Sequence, residues 1–243
     1  MSVSLSYPHD PSSNAPRPLA AGTVWAVAAQ LRQAVARRDS PWALDPKDLV
    51  AAATRLEVNR HRVDVHWDFA HAVHDEDRQP VLGICETDPT APGIALVSVN
   101  TALLANRPDL MLSTVAHELG HVVFDVPAAA RHPARHYRSV SAGPHSFDGA
   151  TVREERRANE FMGALLVPPV PLHLRLVAHA RAERLRMVHA PHHGRVGSRV
   201  LARQTAPEAV GGVISALAGD FGVSDRFIVV RLQRYRLIEG GRL

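Results

Sequence analysis

Apolar residues recur at helical spacing in several stretches of the 243-residue chain. Val24, Val27, Ala28, Leu31 and Val35 form one stripe, with Thr23 placed to cap it. Asp45-Pro46 is a cap-then-proline start for a second helix, whose stripe is Leu49, Val50, Ala53 and Leu56. The period then changes. Val63, Val65 and Trp67 alternate as in a half-buried strand, and "VLGIC" (81–85) and "IALVSVN" (94–100) are short β-rich runs bounded by turn residues. Three strands predict a small sheet. After Pro108, the positions Met111, Leu112, Val115, Leu119, Val122 and Val123 make an apolar face broad enough for a buried helix.

Beyond 125 the pattern dissolves into a long polar loop that ends near 150, and long ordered loops are often functional. Helical periodicity returns over 151–166, is stopped by Pro168-Pro169, and resumes over about 171–189. From 207 to 238, Leu217, Phe221, Val223, Ile228, Leu232 and Leu237 fit two helices meeting at a Gly-Val-Ser turn, a helix-turn-helix-like arrangement. The pattern predicts an α+β protein in three parts: a disordered tail over 1–20, a main domain over 21–170 and a helical region over 171–243.

Composition narrows the function classes. With 46% hydrophobic and 21% charged residues and no apolar run near the ~20 residues a membrane span needs, the expectation is a soluble protein with no membrane partner. The first twenty residues are rich in Ser and Pro and lack the basic start and apolar stretch of a secretory signal, which points to the cytoplasm. The one cysteine, Cys85, removes disulfide frameworks and paired-cysteine zinc sites, so any metal must be held by His and carboxylates. Cys85 reads as a buried strand residue, with an inhibitory thiolate as the alternative. The net charge is +4, carried by Arg apart from Lys47. That permits weak nucleic-acid contact, above all through the C-terminal Arg226, Arg231, Arg234 and Arg236, without requiring it.

The chemistry lies in "AHELGHVV", residues 116–123. On a helix, His117 and His121 are one turn apart on one face, so both imidazoles can reach one ion while Glu118 projects beside them. Random placement of 15 His and the chain's glutamates gives this pattern about 0.04 times, so a second element has to support it. A catalytic zinc takes three protein ligands and leaves one position for water. A third His ten residues after the first is absent, since Pro127 stands there. A Glu from the later helix is the other solution, and Glu154 and Glu155 both offer one. Glu155 is preferred, because Asn159 lies one turn further on and can accept a hydrogen bond from the far nitrogen of a ligating histidine.

"AHELGH", then "EERRANEFMGALLVPP" and "LAGDFGVSDRFIVVRL", resemble the ImmA/IrrE family of bacterial metallopeptidases over about 94–238. Arg157 stands where that family often has an acidic residue, and Met162-Gly163 replaces a more usual small pair. The resemblance implies a zincin-like peptidase fold, with a small mixed sheet packed on the active-site helix, and a helix-turn-helix transcriptional repressor as substrate. One Zn2+ per chain would be held by His117, His121 and Glu155. Glu118 would be the general base, and Tyr137, His136 or His145 from the long loop would be candidates to stabilise the oxyanion. The alternative is a DNA-binding or repressor-binding regulator in which the metal site is structural or inactive.

Overall fold

A computed structural model describes residues 2–36, 42–88, 90–131, 137–141, 149–192, 195–205 and 207–241. The fold is mixed α+β. It divides into two compact units, one comprising Met1–Arg37 with Leu44–Leu165 and the other Arg38–Ala43 with Leu166–Leu243.

The first unit is built on a six-stranded mixed sheet. Its strands are β1 (Val3–Leu5), β2 (Arg55–Val58), β3 (His61–Asp68), β4 (Gly83–Thr87), β5 (Ile94–Val99) and β6 (Arg138–Ser141), in the order β1-β2-β3-β5-β4-β6. β1 runs parallel to β2 and β3 parallel to β5, while the β2–β3, β5–β4 and β4–β6 pairs are antiparallel. Alternation decides which face is covered: Leu56, Val58, Val63, Val65, Ala95 and Val97 are buried, and Arg55, Glu57, Arg62 and Leu96 between them are exposed. Three strands were expected. β1, β2 and β6 are three or four residues long and carry little periodicity of their own.

The expected disordered tail is a part of this fold. Val3–Leu5 pairs with Leu56–Val58, Leu5 and Tyr7 are buried, and the Tyr7 hydroxyl donates to Val123 O at 2.9 Å. Val3, Leu5 and Tyr7 form a short alternating pattern that the surrounding Ser and Pro residues obscure.

Helices cover the buried face. α1 (Ala21–Val35) starts with Ala20 at its N-cap rather than Thr23, which lies in the first turn. α2 (Pro46–Ala52) has the expected cap, Asp45 accepting from Lys47 N, but stops at Ala52, so that Leu56 belongs to β2. A short α3 (Thr101–Leu104) precedes α4 (Pro108–Phe124), which has Pro108 in its first turn and Asp109 beside it at the positive end of the helix dipole. α4 packs on β4 and β5 and is buried along its whole C-terminal half. α5 (Val126–Ala129) follows directly, and α6 (Gly149–Leu166) ends just before Pro168.

The second unit contains α7 (Pro169–Ala182), a hairpin of β7 (Met187–His192) and β8 (Arg195–Leu201), α8 (Pro207–Phe221) and α9 (Asp225–Arg234). The helix expected to reach 189 ends at Ala182. Arg184 takes a positive φ of 54°, and Met187–His192 pairs antiparallel with β8. α8 and α9 meet at Gly222-Val223-Ser224, where Gly222 has φ 67° and Ser224 Oγ caps α9 by accepting from Phe227 N. Ile228 and Leu232 bury one face of α9. Arg231 is also buried, its guanidinium over the rings of Phe227 and Tyr235, so it does not belong with the exposed arginines proposed for nucleic-acid contact. Among the described residues no single helix is long and apolar enough to cross a membrane.

Candidate metal centre

α4 and α6 cross at two small residues. A Cβ added to Gly120 would lie 2.8 Å from the Ala158 Cα, so only glycine allows the two backbones to come this close. That crossing brings Glu155, one turn before Ala158, to the face of α4 that carries His117 and His121. The Nε2 atoms of the two histidines are 3.1 Å apart. Glu155 Oε2 lies 3.4 Å from the His117 nitrogen and Oε1 lies 3.2 Å from the His121 nitrogen.

These separations test whether a metal fits. Donors placed about 2.0–2.1 Å from a tetrahedral zinc ion stand about 3.3 Å from one another along the edges of the tetrahedron. The separation of the two histidine nitrogens and the distance from each to its nearer Glu155 oxygen, 3.1, 3.4 and 3.2 Å, lie close to that edge, with a different carboxylate oxygen facing each histidine. The donor set, two imidazoles and a carboxylate, is likewise one that zinc accepts. His117, His121 and Glu155 are also a set of side chains among the described residues that could hold a metal ion.

Electrostatics hold His121 and Glu155 in opposite charge states. Burial pulls the pKa of His121 down, but the hydrogen bonds it donates to the Asp125 and Glu155 carboxylates outweigh it and raise the value to about 10. Burial pushes the Glu155 carboxyl up, and hydrogen bonds to His117 and His121 more than reverse this, holding it below the ordinary carboxylate range.

Asp125 is the group that orients His121. It lies one further turn along the row that contains His117 and His121, and its Oδ2 is 2.9 Å from His121 Nδ1. That fixes the proton on Nδ1 and turns Nε2 toward His117 and Glu155. Asp125 is itself held by an ion pair with Arg157 and by the Tyr137 hydroxyl, which donates to Oδ2 at 3.1 Å. The Arg157 guanidinium also lies over the Phe124 ring.

Glu118 is fully buried beneath β4. A Cβ at Gly83 would come within 2.7 Å of Glu118 Oε1, so the glycine in β4 makes the space in which this carboxylate sits. Burying a carboxylate and two imidazoles on one helix costs several kcal/mol unless each is compensated, whereas apolar residues there would stabilise the fold at no such cost.

Two sequence expectations need correction. Asn159 does not support a ligating histidine: it is exposed and its Nδ2 donates to Glu155 O, 2.8 Å away in its own helix. Its spacing suited the role, but Asp125 already occupies the far side of His121. Tyr137 is not turned toward the three donors. Its hydroxyl is 2.9 Å from His121 Nδ1, the ring nitrogen facing away from them. His136 and His145 lie outside the described residues. Glu154 is partly exposed and is not in the donor cluster, while Glu155 is.

Asp125, Arg157, Gly83 and Ser139 were not anticipated from the sequence. Only Asp125 had a signal there, as the third member of a row spaced by four. Comparison of the chain with protein-family models, with curated proteins and with solved structures found no match.

Proposed function

We propose that this chain is a zinc-dependent metallo-endopeptidase of the ImmA/IrrE type, with a zincin-like first unit. The observation that carries the reading is the convergence of His117, His121 and Glu155 at tetrahedral-edge distances, beside a buried carboxylate on the same helix. Bound between those donors, zinc would polarise a peptide carbonyl and acidify a water molecule. Glu118 accepts the water proton at its carboxylate and returns it to the leaving amine. Asp125 keeps the Nδ1 proton of His121 in place, so that Nε2 offers a lone pair. β4 and α4 keep bulk water away from Glu118, as its full burial supports.

The substrate we propose is a helix-turn-helix transcriptional repressor, on the strength of the sequence resemblance, which extends into the α8–α9 pair. The rival reading, a DNA-binding regulator, loses one of its four arginines to the interior of the second unit.

Glu118→Gln separates these readings. The variant keeps the size of the side chain but cannot take a proton as the carboxylate does. It should fold and retain zinc while cleavage of a co-expressed repressor falls by about 100-fold or more, as read by intact-mass analysis. Equal cleavage by wild type and variant would remove Glu118 from the mechanism.

A further inference from the structure

We propose that β6 holds the place of the peptide substrate, with the Ser139 hydroxyl standing where the substrate's reacting oxygen would lie. This inference rests on the metallopeptidase reading above. Ser139 is buried, and its Oγ is 3.0 Å from His121 Nε2 and 3.0 Å from Glu155 Oε1. Those distances resemble the spacing of the three donors from one another. A fourth donor atom, an oxygen, therefore already sits at the cluster, supplied by the chain itself, where a catalytic zinc site keeps an open position.

The backbone supports the same reading. β6 is the last strand of the sheet and pairs antiparallel with β4, in the register Ile84 with Val140, Cys85 with Ser139 and Glu86 with Arg138. An extended peptide recognised by strand addition uses the same kind of ladder, its main chain giving affinity and its alternate side chains giving specificity. Ser139 faces the donors. Its neighbours face the other way, where Val140 packs on the apolar cluster of Val73, Val81 and Ile84, and Arg138 lies near Glu86 and Glu76 and donates to His74 O.

β6 blocks the centre without being cut, because a serine side chain presents an oxygen to the donors but no acyl carbon. A substrate that displaces it would take over the same contacts. The class implied is an extended segment with a small residue at the metal, flanked on one side by a basic and on the other by a β-branched aliphatic residue.

The experiment uses the zinc-loaded full chain and acetohydroxamate, a chelating probe that needs an open coordination position, with binding read by calorimetry. Val140→Asp removes β6 from its apolar cluster, and Ser139→Ala removes the competing oxygen. If the closed form holds nine-tenths or more of the population, Val140→Asp should tighten hydroxamate binding by about tenfold or more. Ser139→Ala should tighten it too. In cobalt-substituted protein, Ser139→Ala should also change the visible absorption, because water replaces a protein oxygen at the ion; this holds even if Val140→Asp fails to fold. Unchanged hydroxamate affinity together with an unchanged cobalt spectrum in Ser139→Ala would overturn the inference and leave the metal centre standing. A wild-type protein that takes up neither zinc nor cobalt would overturn both.

Discussion

At the scale of single residues, His121 is held at both ring nitrogens, by Asp125 on one side and by the other donors on the other. In the metal-free protein its pKa stands at about 10, since the hydrogen bonds to Asp125 and Glu155 outweigh the effect of burial. At pH 8 His121 is therefore a cation, and Glu155, held low, is already ionised. A metal ion must displace the Nε2 proton of His121 but none from Glu155. Zinc uptake at pH 8 is expected to release about one proton from His121, and the apparent affinity is expected to rise with pH, by up to about tenfold per unit, until the pH nears the pKa. Calorimetry in buffers of different ionisation enthalpy measures this directly. Asp125→Asn removes the main partner that raises the pKa, so the variant should release fewer protons under the same conditions. Proton release unaffected by that substitution would mean that Asp125 does not set the charge of His121.

Among the elements, the crossing of α4 and α6 matters most. Alanine normally favours a helix interior over glycine by about 1 kcal/mol. At Gly120 the sign is expected to reverse, because the new methyl group would meet the backbone of α6 at Ala158. Gly120→Ala should destabilise the protein by about 1–3 kcal/mol, seen as a lower urea midpoint, and should weaken zinc binding as Glu155 is pushed away. A stabilised Gly120→Ala would mean that α4 and α6 do not touch at Gly120 and Ala158. Elements specified by local pattern were legible in the sequence: the broad apolar face of α4, the Asp45 cap of α2 and the proline stop of α6. The place of Glu155 beside His117 and His121 was legible for the same reason, since it sits in a helix whose phase can be read. β1, β2 and β6 were not, because strands of three or four residues are defined by their partners. Ser139 and Gly83 were missed with them: their closeness to the donors depends on the β4–β6 register and on the packing of α4 under β4. The helix read over about 171–189 ran into the first residues of the hairpin, whereas α7 ends at Ala182, just before the positive φ at Arg184.

For the molecule as a whole, the N-terminal residues belong to the first unit's structure. Leu5 and Tyr7 are buried, Tyr7 packs on the Phe124 ring, and its hydroxyl donates to the last turn of α4. Burying such side chains contributes about 1.5–3 kcal/mol each. Deleting residues 2–8 should therefore cost about 3 kcal/mol or more in unfolding free energy, a large share of the 5–15 kcal/mol typical of a domain. Unchanged urea unfolding would show that β1 contributes nothing. The central claim, that α4, packed on the sheet, and α6, crossing it at Gly120, bring three side chains together to hold one metal ion, is tested most directly by metal content. Elemental analysis of the purified wild-type protein after zinc loading and removal of loosely bound ions should find about one zinc per chain. Glu155→Ala should lose it, and Glu154→Ala, one position away on the same helix, should keep it. Full zinc in Glu155→Ala, or its loss from Glu154→Ala alone, would contradict the account.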